Sequence, residues 1–418
     1  MADERTNAQP ILSRTSLIRE VYRTLINNGR SYAAFTDVER LLVTSLKDKG
    51  EILDPMSGYG LLARFCSENG VSSYCVEFNV PQYYWQFIQL PNLTEFFLGS
   101  LELMLKWRSE WPRASTRASV CDNWFHEESN RLLTQLFQLS RKAVAATFPP
   151  FIDIDHAALA QMIPFVGRLS SSVPGNISTF TKPGGLCVYT GWQDDFNNYL
   201  LALSSRLDEN RRCHSVSKHE LHLGDARTFS FPAKRFQAMV TSPPYPNRMD
   251  FSSMFKPEYA FLMWLIQQGI IHLDLAPERI IGSAFVSQKI HRKPTSSAVV
   301  GFLERVAGLK LSSGAAYDDK VYYVPYFSNY FADLEAAYSN ISSSLADEFE
   351  GYIVVVNNTH RGVVVPVAQA IVEIWQNLGF EAEVFDSNET FHIGTKNPRS
   401  RGIRARHTEY VIRVARRC

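Results

Sequence analysis

Apolar positions along the chain change period several times, and each change predicts a different kind of element. Leu17, Ile18, Val21, Tyr22, Leu25 and Ile26 recur at helical spacing, so the stretch up to about Leu46 reads as helical. Residues 51–54 form a short strand that runs into a loop, Pro55-Met56-Ser57-Gly58-Tyr59-Gly60. Leu61–Glu68 reads as a helix stopped by Asn69-Gly70, and Ser73–Glu77 as a second strand ending in an acid. Strand, helix and strand in this order make a βαβ unit, which implies a parallel sheet.

Between about Pro81 and Glu220 the pattern changes. Long helical stretches dominate, notably Glu127–Thr147 and residues 194–206, with a Ser-, Pro- and Gly-rich loop over 170–185 and no strong strand alternation. A mainly helical insertion over residues 81–220 is therefore expected. βαβ character returns with residues 221–225 and 236–240. The apolar run 351–357 predicts a buried strand, 364–378 a helix ended by Gly379, and the alternation in 409–414 a closing strand. The expected fold class is α/β, with the sheet domain split between residues 1–80 and 221–418.

Composition narrows the class. Apolar residues make up 45% and charged residues 20%, which suits a soluble globular protein. No apolar run approaches the roughly 18 residues of a membrane span. The start, MADERTNAQP, lacks the basic and apolar regions of a signal peptide, so cytoplasmic residence is expected. The six cysteines form no CxxC pair and no metal-ligand spacing; reduced structural thiols and no metal site are expected. The net charge of +1 does not itself advertise a nucleic-acid partner, but its distribution is uneven. Residues 396–417 carry Arg399, Arg401, Arg404, Arg406, Arg413, Arg416 and Arg417 against only Glu409, and Lys289, Arg292 and Lys293 form a second basic cluster. Each cluster suits phosphate contacts or plain solvated surface equally well.

Two loops carry the candidate chemistry. Asp54-Pro55-Met56-Ser57-Gly58-Tyr59-Gly60 sits at a strand-to-helix turn, where glycines let backbone approach a ligand and the helix N-terminus offers free amides. A tight turn with no ligand would look the same. Glu77, about 20 residues on at the next strand end, is placed to accept hydrogen bonds from two ribose hydroxyls. Leu61-Leu62-Ala63 supplies no third glycine, which argues against a dinucleotide. The second loop is Thr241-Ser242-Pro243-Pro244-Tyr245. Two prolines fix the backbone and remove two amide donors, leaving carbonyls held as acceptors. Ser242 adds a hydroxyl and Tyr245 an aromatic face, which together suit a flipped-out base with an exocyclic amino group. A stiff proline turn is the alternative.

The pair of loops resembles the amino-methylating DNA methyltransferases, whose cofactor loop reads DPFxGxG and whose catalytic loop reads (D/N/S)PP(Y/F/W). Here they read DPMSGYG and SPPY, in that order and each after a strand. The resemblance runs from about Ser31 to the C-terminus and covers residues 81–220 poorly. It implies a Rossmann-like methyltransferase fold: a mostly parallel seven-stranded sheet with helices on both faces, plus the helical insertion. It also implies S-adenosylmethionine as cofactor and DNA as partner. By the resemblance, Phe35 and Thr36 match an N-terminal cofactor motif, while Asp54, Pro55, Ser57, Gly58 and Gly60 line the methionine moiety. Glu77 would hold the ribose, and Asp225 with Ala226 would meet the adenine. Ser242, Pro243, Pro244 and Tyr245 would form the target-base pocket. The continuation to Phe251 resembles the SPPYxNxxDY form of one branch, which brings in Arg248 and Asp250 as positioning or DNA-contacting residues. The stretch Tyr330-Phe331-Ala332-Asp333 is similar to that branch too. Lys289, Arg292 and Lys293 are further DNA-contact candidates. Target recognition falls to the insertion or to residues 282–326.

Ser at the first loop position goes more often with cytosine N4 in that family, and Asp or Asn with adenine N6. The expected reaction is therefore N4-cytosine methylation, with N6-adenine as the alternative. Cytosine C5 chemistry needs a Pro-Cys loop, and the chain has no such dipeptide. RNA guanine-N2 enzymes share the (D/N)PPY type of loop, and a non-catalytic nucleic-acid-binding protein is the remaining class. Leu61 stands where the family usually has Thr, so one hydroxyl near the cofactor is absent. A restriction endonuclease partner would fit such an enzyme; the oligomeric state is left open.

Overall fold

The βαβ pattern read from the sequence closes as a parallel pair, β1 (Ile52–Asp54) beside β2 (Ser73–Glu77), in a computed structural model of the chain. The structure describes residues 37–112, 127–172, 192–213, 217–246, 255–283, 293–309, 319–393 and 404–417. β3 (His219–Leu223) joins β2, and β4 (Phe236–Thr241) joins the other side of β1, both in parallel. β5 (Leu345–Val356) continues the parallel set beside β4. β6 (Thr359–His360) and β7 (Val363–Val364) make a separate small hairpin. β8 (Phe380–Ile393) and β9 (Arg404–Arg416) then close the sheet, with β9 antiparallel to both β5 and β8. The order β3-β2-β1-β4-β5-β9-β8 makes a seven-stranded mixed sheet in an α/β fold, with β9 as its antiparallel strand.

The chain divides into two compact units. One holds the sheet and comprises Leu46–Gln86, Ser215–Phe255 and Asp274–Cys418. Its core sets Leu53, Val76, Met239, Ile353, Val355 and Ile412 of the strands against Phe331, Leu334, Tyr338, Ile371 and Trp375 of two helices, Val324–Ser342 and Val367–Asn377. Residues 351–355 are all buried, as a strand flanked on both edges in a covered sheet requires. Gly351 has no room for a side chain, because a Cβ there would lie 2.6 Å from the Phe349 ring. Gly379, at φ +89°, ends the helix before β8.

The second unit comprises Met1–Ser45, Phe87–His214 and Lys256–Leu273, and its described part is helical. Its long helices Thr94–Lys106, Glu127–Thr147, Ile154–Ser172 and Trp192–Cys213 are tied by one buried polar node. Gln161 accepts from Ser140 Oγ and donates to Ser100 Oγ, each at 2.7 Å, while its backbone carbonyl accepts from Tyr199 Oη at 2.7 Å. Buried polar groups need such partners, so the node fixes the register of four helices. No helix among the described residues is long and apolar enough to cross a membrane.

Candidate active site

β1 lies between β2 and β4, so the strand order reverses at the β1–β4 seam, where doubly wound sheets bind ligands beyond their carboxyl ends. The Asp54 loop and the Ser242 loop both leave from this seam. They are tied together at its base: Thr241, the last residue of β4, donates its hydroxyl to Asp54 Oδ1 at 2.8 Å, and both residues are buried.

The first loop is held open by its glycines. Gly58 and Gly60 have φ of +55° and +72°, a backbone region that side chains disfavour. The Ser57 amide donates to the Val76 carbonyl at 3.1 Å, and the Gly60 amide to the Ser57 carbonyl at 2.9 Å. Gln86 fastens the loop from outside. Its Nε2 donates to the Gly58 carbonyl at 2.6 Å, and its amide meets Ser57 Oγ at about 3 Å. A Cβ on Gly60 would lie 2.7 Å from Gln86 Cγ, so Gly60 is required for room as well as for its backbone angle. Gln86 carried no motif. Its one signal in the sequence is the pair Gln82 and Gln86, four residues apart in an otherwise aromatic helix (Val80–Phe87), and both are buried. Pro55 is also buried.

Glu77 ends β2 beside this loop. One carboxylate oxygen accepts from the Gly58 amide and the other from the Asn79 amide, each at 2.6 Å. Burial pushes its pKa up to about 8; the Asn79 and Gly58 amides oppose that, and the nearby Asp54 adds to it. Asp225, past the end of β3, is set differently. Arg227 donates to it from Nε at 2.9 Å, from Nη2 at 2.7 Å and from its own backbone amide at 3.0 Å. Burial alone would raise the Asp225 pKa, but the Arg227 hydrogen bonds and charge outweigh it and hold the carboxyl below its usual range. Arg227 reaches on to Asp333 at 2.8 Å. The carboxylate expected to meet an adenine thus already takes three donors from within the chain. Ala226 is buried, and its carbonyl accepts from Asn340 Nδ2 at 3.0 Å.

In the second loop Ser242 Oγ and Tyr245 Oη lie 3.1 Å apart, and Tyr245 is 8% exposed. Pro243 is buried and Pro244 half-buried. The Pro244 carbonyl accepts from Tyr330 Oη at 2.8 Å. Tyr330 and Asp333 sit one turn apart on the helix Val324–Ser342, so a single helix face steadies the proline loop and, through Arg227, Asp225. Lys293 is exposed. Phe35, Thr36, Arg248, Asp250, Lys289 and Arg292 lie outside the described residues.

No family model and no curated protein matches the chain. Among solved structures, it is similar to the rRNA methyltransferase aviRa from Streptomyces viridochromogenes, with 11% identity over 93% of this chain and 89% of that one, at a TM-score of 0.28. A likeness that weak carries no argument for activity or substrate.

Proposed function

We propose that the protein is an S-adenosylmethionine-dependent methyltransferase acting on an exocyclic amino group of a DNA base, cytosine N4 in the first instance. The observation that carries this reading is the Thr241–Asp54 bond, which sets a glycine-opened loop and a Ser-Pro-Pro-Tyr loop side by side on adjacent parallel strands. The residues at the first loop suit the cofactor. Gly58 and Gly60 keep side chains out of the turn, Glu77 offers a carboxyl group at the strand end, and the buried acid Asp54 favours a cationic ligand. Bound there, S-adenosylmethionine supplies an electrophilic methyl group.

The chain's own part is to bind and orient the nucleophile. Ser242 Oγ can give its proton to Tyr245 Oη and keep its lone pairs for an N–H of the base amino group. A proline carbonyl of the loop accepts the second N–H; that of Pro244 is held in place by Tyr330. Accepting both N–H groups draws the nitrogen lone pair out of ring conjugation, so positioning rather than strong basicity prepares the attack. Incubating the protein with S-adenosylmethionine and duplex DNA, then identifying the modified nucleoside by mass spectrometry, tests this directly. N4-methylcytosine is expected; N6-methyladenine would move the target to the alternative base. Modification of structured RNA alone would overturn the DNA assignment.

A further inference from the structure

A carboxylate can read a ligand's amino group only through a lone pair that is not already taken, and at Asp225 the lone pairs can be counted. Its carboxyl is held below the usual range, so it is ionised and acts only as an acceptor, with about four sites, two on each oxygen. Arg227 fills three of them. Its backbone amide and Nε both donate to Oδ1, at 3.0 and 2.9 Å, and its Nη2 donates to Oδ2 at 2.7 Å. Oδ2 also has Nη2 of Arg279 at 3.7 Å. The Asp225 side chain is 8% exposed, so another donor has little room to approach.

The arginine that fills Asp225 is itself locked. A guanidinium presents its N–H groups in a fixed fork. Here Nε donates to Asp225, Nη2 to Asp225 and to the Arg279 carbonyl at 2.5 Å, and Nη1 reaches Asp333 at 2.8 Å. These acceptors lie on three separate segments: the turn after β3, the short helical turn Pro277–Arg279 and the helix Val324–Ser342. Swinging Arg227 away breaks its bonds to all three at once. Its side chain is 14% exposed, so water replaces little of what is lost. Phe78, next to Glu77, is half-buried and offers a ring face whatever substituent a purine carries. Arg279 covers that face only loosely, 5.4 Å from the ring centre and half-exposed.

We propose that Arg227 sets the specificity of the nucleoside site. By occupying Asp225 from within the chain, it leaves the exocyclic amino group of a bound purine without a carboxylate to meet, so the site accepts purine nucleosides with and without that group. This rests on the methyltransferase reading for the nature of the ligand. The test compares 5′-methylthioadenosine with its 6-deamino analogue, in which hydrogen replaces the amino group, by calorimetric titration of the full chain. A bond from the amino group to a charged acceptor favours methylthioadenosine roughly 12- to 160-fold, whereas the native chain should bind the two within about 3-fold of each other. Arg227→Gln frees at least one Asp225 oxygen and should raise the preference to about 5-fold or more, even where both affinities fall. Arg227→Lys keeps the charge between Asp225 and Asp333 but not the fork. It should move the ratio the same way, and it decides the matter where the Gln variant does not fold. A merely structural role for Arg227 weakens both ligands alike and leaves the ratio where it was. That result overturns the proposal, as does a native preference above about 3-fold for methylthioadenosine, well short of the full bond. Both results leave the methyltransferase reading in place. Failure of the native chain to bind either nucleoside removes the cofactor reading, and the proposal with it.

Discussion

Glu77 is a buried carboxyl that the fold makes hard to ionise, and that has consequences for stability and for ligand binding. Its pKa is pushed up to about 8 from an ordinary 4.5. The folded protein therefore binds a proton more tightly there than the unfolded chain does. Stability is unaffected by this group below about pH 4.5, falls as pH rises toward 8, and is lower by roughly 4–5 kcal/mol above it. Glu77→Gln removes the charge and keeps the shape. It costs a fixed amount, since the amide cannot accept from both the Gly58 and the Asn79 N–H groups, but it should remove the pH slope. Denaturant unfolding of both proteins between pH 5 and 9 separates the two effects: the variant should gain on the native protein as pH rises. Ligand binding should run the other way. Ribose hydroxyls donate to the ionised carboxylate, so methylthioadenosine binding at pH 7 should release close to one proton, read by calorimetry in buffers of different ionisation enthalpy. Release should vanish in Glu77→Gln. Parallel stability curves for the two proteins, or binding without proton release, would refute the reasoning.

Other perturbations probe the two loops. Thr241→Val keeps the shape but removes the hydroxyl that Asp54 accepts, and a buried bond to a charged acceptor makes a loss of about 1.5–3 kcal/mol the expectation in denaturant unfolding; a loss below about 0.5 kcal/mol would show that the seam is held otherwise. Tyr245→Phe deletes the partner of the Ser242 hydroxyl and should lower kcat by roughly 2- to 12-fold with methylthioadenosine affinity unchanged. Tyr245→Ala should lower kcat much further, and activity within a few-fold of native would exclude a base-facing role. Tyr330→Phe releases the Pro244 carbonyl and should cost about 1 kcal/mol in stability, with kcat falling while cofactor affinity holds; a change in cofactor affinity alone would place Tyr330 in the wrong loop.

What could be read from the sequence was local. The strand, Gly-rich turn and helix of residues 52–68 are contiguous, and their bounds emerge from apolar spacing and the Asn69-Gly70 stop. The same holds for Glu127–Thr147, whose periodicity is unbroken. β9 was only half legible. Alternation marks 409–414, where β5 and β8 flank the strand, but the strand begins at Arg404. Residues 404–407 pair with β8 alone, and an Arg-Ala-Arg-His run carries no apolar alternation that would mark a strand. The helix expected over 364–378 starts instead at Val367, because Val363 and Val364 pair with Thr359 and His360 and Pro366 then sets the helix start. Gln86 and Arg227 were invisible as site residues for a different reason, and Tyr330 stood out only through the family resemblance of its stretch, with no partner named for it. Each acts on a loop 28 to 86 residues away or through a turn whose partner lies on another helix, and only the fold brings those ends together.

The Arg227 cluster gives the site an electrical direction. Asp225 and Asp333 are matched by Arg227 and by Arg279, whose Nη2 lies 3.7 Å from Asp225, so the β3 end of the sheet is close to neutral. Arg279 also lies over the Phe78 ring, 5.4 Å from its centre, next to Glu77. At the β1 and β2 ends, Asp54 and Glu77 meet hydroxyl and backbone amide donors at the bonds described above, and Asp54 raises the Glu77 pKa. A ligand with a cationic end and an uncharged aromatic end is therefore better placed with its cation toward Asp54 and its ring toward Phe78 and Asp225 than in reverse. That orientation directs the cation toward β4 and the Ser242 loop, where the proposed reaction needs the methyl group. The three donors already on Asp225 then act as a limit: the carboxylate keeps little capacity for a further partner, and ring contact with Phe78 has to supply more of the discrimination.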